Sequence, residues 1–120
     1  MKKFIIPLYR EVKLVFVLGS SKELFRQYKK YITDARSDYS IKKIINNNLG
    51  TTWNGLANGS EFIVVTVDEN GSKKAILSVV MHEFVHVVDD VSERYAITDS
   101  EFRAYLMDYM TEAYYNIMNL

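Results

Sequence analysis

The chain has 120 residues, 48% of them apolar, with 15 Lys and Arg against 15 Asp and Glu and no cysteine. That length supports one domain, residues 1–120, around a single hydrophobic core. Balanced charge gives no electrostatic argument for nucleic acid or an anionic membrane surface, and the absence of cysteine excludes a disulfide framework.

The opening Met1-Lys2-Lys3-Phe4-Ile5-Ile6-Pro7-Leu8 imitates a signal peptide, but its apolar run is too short and Arg10-Glu11 interrupts it. No stretch has the length needed to span a bilayer, so a cytoplasmic location is expected. Val12 to Leu18 reads as a buried strand closed by Gly19. Ser20 or Ser21 then caps a helix with Leu24, Tyr28, Tyr31 and Ile32 on one face, and Ser20-x-x-Glu23 forms a capping box. A weaker helix covers about Ile41 to Asn47. Thr51 to Ala57 and Glu61 to Val67 read as two strands joined by Asn58-Gly59, a strong hairpin signal. The second is central by its apolar density. The paired lysines at 29 and 30, 42 and 43, and 73 and 74 read as solvated faces.

Beyond the Asn70-Gly71 turn, Ser72 is a plausible N-cap for a helix through Ile76 to Val91. This stretch is rich in valine, which favours strands. Its length, and polar residues at 82, 83, 86, 89 and 90, fit helical rather than alternating spacing. The last helix carries a predicted apolar stripe of Phe102, Tyr105, Leu106, Tyr109, Met110, Ala113, Ile117 and Met118. Strand, helix, short helix, hairpin and two helices make an α+β fold.

The chemistry concentrates in Met81-His82-Glu83-Phe84-Val85-His86, which holds both histidines of the chain in an H-E-x-x-H pattern. On a helix, residues i and i+4 share a face about 6 Å apart, so both imidazoles can reach one zinc ion. On a strand they would stand about 13 Å apart. Glu83, offset by one residue, would stand beside the metal, placed to take a proton from water. A catalytic zinc site needs a third protein ligand and an open position. With no third histidine and no cysteine, that ligand must be a carboxylate, and Glu101 is the best candidate. Glu101 also completes Thr98-x-x-Glu101, a capping box, unless Asp99 or Ser100 caps in its place. Asp89 or Asp90 reads as a partner orienting His86.

His82-Glu83-x-x-His86, with Val79, Val80, Phe84, Val85, Val87 and Val88 around it, is similar to the active-site helix of the zincin metallopeptidases. A glutamate in the first turn of the following helix resembles the gluzincin branch, although its Asn-Glu-x-x-Ser-Asp pattern is absent here and the connection is shorter. Residues 76–110 also resemble small phage-type proteins in which H-E-x-x-H is followed by an acidic residue and an Ala-Tyr pair, here Glu101 and Ala104-Tyr105. The resemblance implies a minimal zincin-like fold: a small sheet packed on the active-site helix, followed by a glutamate helix. It implies a Zn2+-dependent metallopeptidase, with His82, His86 and Glu101 as ligands and Glu83 as general base; Tyr105, one turn beyond Glu101, is the leading candidate for the oxyanion donor, ahead of Arg103 and Tyr95. The partner would be a peptide or protein substrate, with one specific protein favoured by the small size, lying along an edge strand near Thr51 to Ala57. Trp53 would then either contact substrate or anchor the core. The alternative is a catalytically silent zincin-like structural or regulatory protein.

Overall fold

A computed structural model describes residues 1–33, 36–57 and 59–120. The fold is α+β: a four-stranded mixed sheet in the order β1-β2-β4-β3, with helices on both faces. The strands are β1 (Lys2–Tyr9), β2 (Val12–Gly19), β3 (Gly50–Ala57) and β4 (Ser60–Asp68), and the helices are α1 (Ser21–Tyr31), α2 (Asp38–Asn47), α3 (Lys73–Arg94) and α4 (Ser100–Met118).

The two central strands, β2 and β4, run parallel, with Val15 opposite Val64 and Val17 opposite Thr66. Being covered on both faces, they read as near-continuous apolar runs. Alternation then divides their side chains between two cores. Val12, Leu14, Phe16 and Leu18, with Ile63, Val65 and Val67, face α3 and α4. Val15, Val17 and Val64 face α1 and α2.

The opening segment is a strand, which its apparent likeness to a signal peptide had obscured. β1 pairs antiparallel with β2 from Lys2 opposite Leu18 to Tyr9 opposite Val12, and Arg10 turns the chain with a φ of 53°. Pro7 has no N–H to donate and is tolerated because β1 is an edge. Phe4, Ile6 and Leu8 pack on the α3–α4 core, and the Phe4 and Phe16 rings stack at 5.0 Å.

Local signals set the helix starts. The Ser20 side chain accepts from the Glu23 N–H at 3.3 Å while the Glu23 carboxylate accepts from the Ser20 N–H at 3.0 Å, completing the expected capping box. That pair, together with the nearby N-terminal amine, lowers the pKa of Glu23. Ser72 caps α3 through the Ala75 N–H at 3.1 Å. Of the Asn58-Gly59 turn, Asn58 lies outside the described residues. Gly59 has a φ of +80°, and Ala57 pairs with Ser60 to close the β3–β4 hairpin.

One packing expectation is corrected and one is met. In α4 the inward residues are Leu106, Met110 and Tyr114, whereas Tyr105 and Tyr109 lie on the exposed side. At 100° per residue, one position separates a core side chain from its solvent-facing neighbour, and the stripe read from sequence was one residue too wide. Trp53 is 5% exposed inside the α1–α2 core, the anchoring role that a single Trp most often takes. Its indole Nε1–H donates to Thr66 Oγ1 at 3.0 Å.

Candidate metal centre

α3 buries one stripe, Ile76, Val80, Glu83, Phe84, Val87, Val88, Val91 and Ser92, against the sheet and α4. Glu83 belongs to this buried stripe at 4% exposure, whereas His82 and His86 flank it on the exposed side. The helix thus presents two solvent-facing imidazoles beside one buried carboxylate. The His82 and His86 Nε2 atoms lie 3.2 Å apart, with the rings at 80° to each other. Ligand atoms on His82, Glu83 and His86 all fall within 4.8 Å of one another.

That geometry fits a metal. Two nitrogens each 2.0–2.1 Å from one tetrahedral zinc stand about 3.3 Å apart. The carboxylate makes the same point from the side of charge. A buried carboxylate is costly unless a cation or several hydrogen bonds compensate it. Among the described residues Glu83 makes no ion pair. Its partner is the Thr52 hydroxyl, which lies 3.2 Å from Oε1 and 3.4 Å from the Glu83 carbonyl oxygen.

The wall opposite α3 is the edge strand β3, paired on one side with β4 alone. Gly50, Thr52 and Asn54 are i, i+2 and i+4 on its face toward α3 and all line the cavity, while Trp53 points the other way. The strand approaches the helix most closely at Gly50. A Cβ there would stand 2.5 Å from Val79 Cγ1 and 3.0 Å from Glu83 Cγ, so only glycine lets β3 lie this near the carboxylate. Gly50→Ala is therefore expected to destabilise the fold by about 1–3 kcal/mol through overpacking. Denaturant melts check it, and an unchanged midpoint would show that α3 and β3 can separate freely.

The cavity holds about 690 Å3 and is lined by both histidines, Glu83, Asp89, Asp90, Glu93, Thr52 and Asn54 among others. Among the described residues that line it, none is Lys or Arg. Asp89 pairs with Arg103 of α4, and Asp90 pairs with Arg94 at 2.9 Å, which also reaches Glu61 at 3.3 Å. Neither aspartate bonds His86, so the orienting role expected of them is not realised: arginines from the next turn and the next helix take their carboxylates. Burial raises the pKa of Asp90, with Arg94 opposing it.

Glu101 and Tyr105 do not line this cavity. Asp99 caps α4, its side chain accepting from the Glu101 N–H at 2.9 Å, so the Thr98-x-x-Glu101 box is not the cap used. This leaves Glu101 exposed in the first turn, and the structure does not bring its carboxylate into the His82–Glu83–His86 group. Tyr105, 68% exposed, is likewise not brought to the histidines, because it occupies the outward phase of α4. Gly50 and Thr52 were missed from sequence. Period-two alternation with Trp53 pointing inward could have placed them on the opposite face, had the side occupied by α3 been known. A comparison with protein-family models, curated proteins and solved structures finds no match to the chain.

Proposed function

We propose that this protein is a zinc-dependent metallopeptidase of minimal zincin-like form, acting on a peptide or a single protein partner. The observation carrying this reading is the 3.2 Å approach of the His82 and His86 Nε2 atoms beside a buried Glu83 that makes no ion pair among the described residues. A zinc ion held by these histidines would acidify a water and polarise a carbonyl. Glu83 takes the proton from the attacking water and returns it to the leaving nitrogen, as a general base and then a general acid. Thr52, by donating to Oε1, holds one carboxylate oxygen and leaves the other for the proton. Glu101 is the third ligand that the zincin resemblance implies, and to reach the ion the first turn of α4 would have to move, since its carboxylate lies outside the cavity. The edge strand β3 offers a peptide a backbone to pair with along the same cavity.

A second reading has its own support. Glu83 lies within 4.8 Å of both histidine nitrogens, close enough to serve as the third donor of a closed, non-catalytic site.

The direct test is metal content by mass spectrometry on protein purified without a metal-affinity tag. About one zinc per chain is expected, and His82→Ala or His86→Ala should each remove most of it while circular dichroism stays unchanged. Stoichiometric zinc in the double variant would defeat the assignment.

A further inference from the structure

The even charge balance of the whole chain conceals a polarity across the sheet. Residues 21–47, which include α1 and α2, carry seven Lys or Arg and three Asp or Glu, a net of +4. Residues 73–118, spanning α3 and α4 on the other face, carry four and eight, a net of −4. The lysines that look in sequence like separate solvated pairs converge in part on one concavity.

That concavity is a groove of about 610 Å3 between α1 and α2, remote from the histidines. Its walls carry Lys22, Arg26 and Lys29 from α1 and Lys42 from α2, and its floor is Phe25 and Ile45. Lys22, Arg26 and Lys29 share one helix face by their spacing. Among the described residues, no acidic side chain lines the groove. Asp38 reaches in from outside to pair with Lys29 at 3.0 Å. Glu23, the one acid of α1, is held by the Ser20 N–H and the N-terminal amine. Lys22, Arg26 and Lys42 make no ion pair among the described residues, and the Lys42 ammonium lies 4.7 Å above the Phe25 ring. Convergent like charges repel, and an anion placed among them relieves that repulsion.

We propose that this groove binds a small organic polyanion of the nucleotide class, a flat apolar body carrying phosphates. The volume suits a small molecule rather than a protein segment. Half-buried Phe25 gives a base an aromatic contact once the Lys42 ammonium moves from its ring to the phosphates, and an arginine fork with two lysines matches phosphate oxygens. This site is independent of the metal centre.

The test is calorimetric titration with ATP, without divalent ions, at low and moderate salt. Binding should weaken with salt and fall at least about tenfold in an Arg26→Glu, Lys42→Glu variant whose melting temperature is unchanged. Inorganic tripolyphosphate should bind at least about tenfold more weakly than ATP, and Phe25→Ala should reduce ATP binding without altering that of tripolyphosphate. The His82→Ala, His86→Ala variant should bind ATP as the parent does, which separates this groove from the metal site. Absence of ATP binding overturns the proposal. So does tripolyphosphate binding equal to ATP, which would mean charge attraction alone, or displacement of ATP by a glutamate-rich peptide that binds more tightly, which would mean a protein partner.

Discussion

Glu83→Gln is expected to abolish peptide hydrolysis while leaving the metal and the fold in place. Glutamine keeps the carbonyl oxygen that accepts from Thr52, so the 3.2 Å contact and the burial of the side chain survive. What disappears is a group able to take a proton. Loss of a positioned general base costs about 10²–10⁴-fold in rate, so turnover of a fluorogenic peptide library should drop by that factor. Zinc content and melting temperature are measured on the same samples, because they decide between the two readings of the site. Retained zinc with lost turnover supports Glu83 as the base. Loss of zinc along with Glu83 makes it a ligand and favours the closed, non-catalytic site. Turnover equal to the parent would remove Glu83 from any mechanism.

Trp53→Ala is expected to be the most destabilising single change in the α1–α2 core. The indole packs edge-to-face on Tyr28 with ring centroids 4.6 Å apart, bonds Thr66 within the buried sheet, and has the Arg36 guanidinium 5.3 Å from its ring. Truncation leaves a cavity among Tyr28, Val15 and Val64 and strands the Thr66 hydroxyl at 2% exposure. A buried Trp→Ala change costs about 3–5 kcal/mol, a large share of the 5–15 kcal/mol typical of a domain. The melting temperature should fall by roughly 10–20 °C. Trp53→Phe keeps most of the volume but removes the N–H, and should cost about 1–3 kcal/mol. A drop below about 1 kcal/mol for the alanine variant would show that α1 and α2 repack over β3 without it.

These two residues mark where the chain's own pattern informs and where it stops. The α3 register follows from local information alone. Ser72 caps the helix, and apolar residues at 76, 80, 84, 87, 88 and 91 turn one side inward, which sets His82 and His86 on the outward side one turn apart. The Ser20–Glu23 box and the Ala57–Ser60 closure of the β3–β4 hairpin are equally local, each made by residues three positions apart. Such features are legible because their energetics depend on near neighbours in sequence.

The opening strand, the role of Trp53 and the partners of Asp89 and Asp90 are decided across the fold. β1 exists because β2 offers it an edge, a pairing its own composition does not announce. Trp53 could face either layer until β3 took its place beside β4 and α1 covered that face. Asp89 and Asp90 lie near His86 in sequence, but arginines at 103 and 94 reach their carboxylates first. Glu101 and Tyr105 depend on how α4 is capped and rotated. Asp99, rather than Thr98, starts that helix, and the resulting phase turns Tyr105 to solvent. The residue types and spacing that could hold a metal were thus set by the sequence along one helix. Which wall faces them, which carboxylates stand free and which cations converge on the far groove were settled by tertiary packing, since those contacts join residues far apart in the chain.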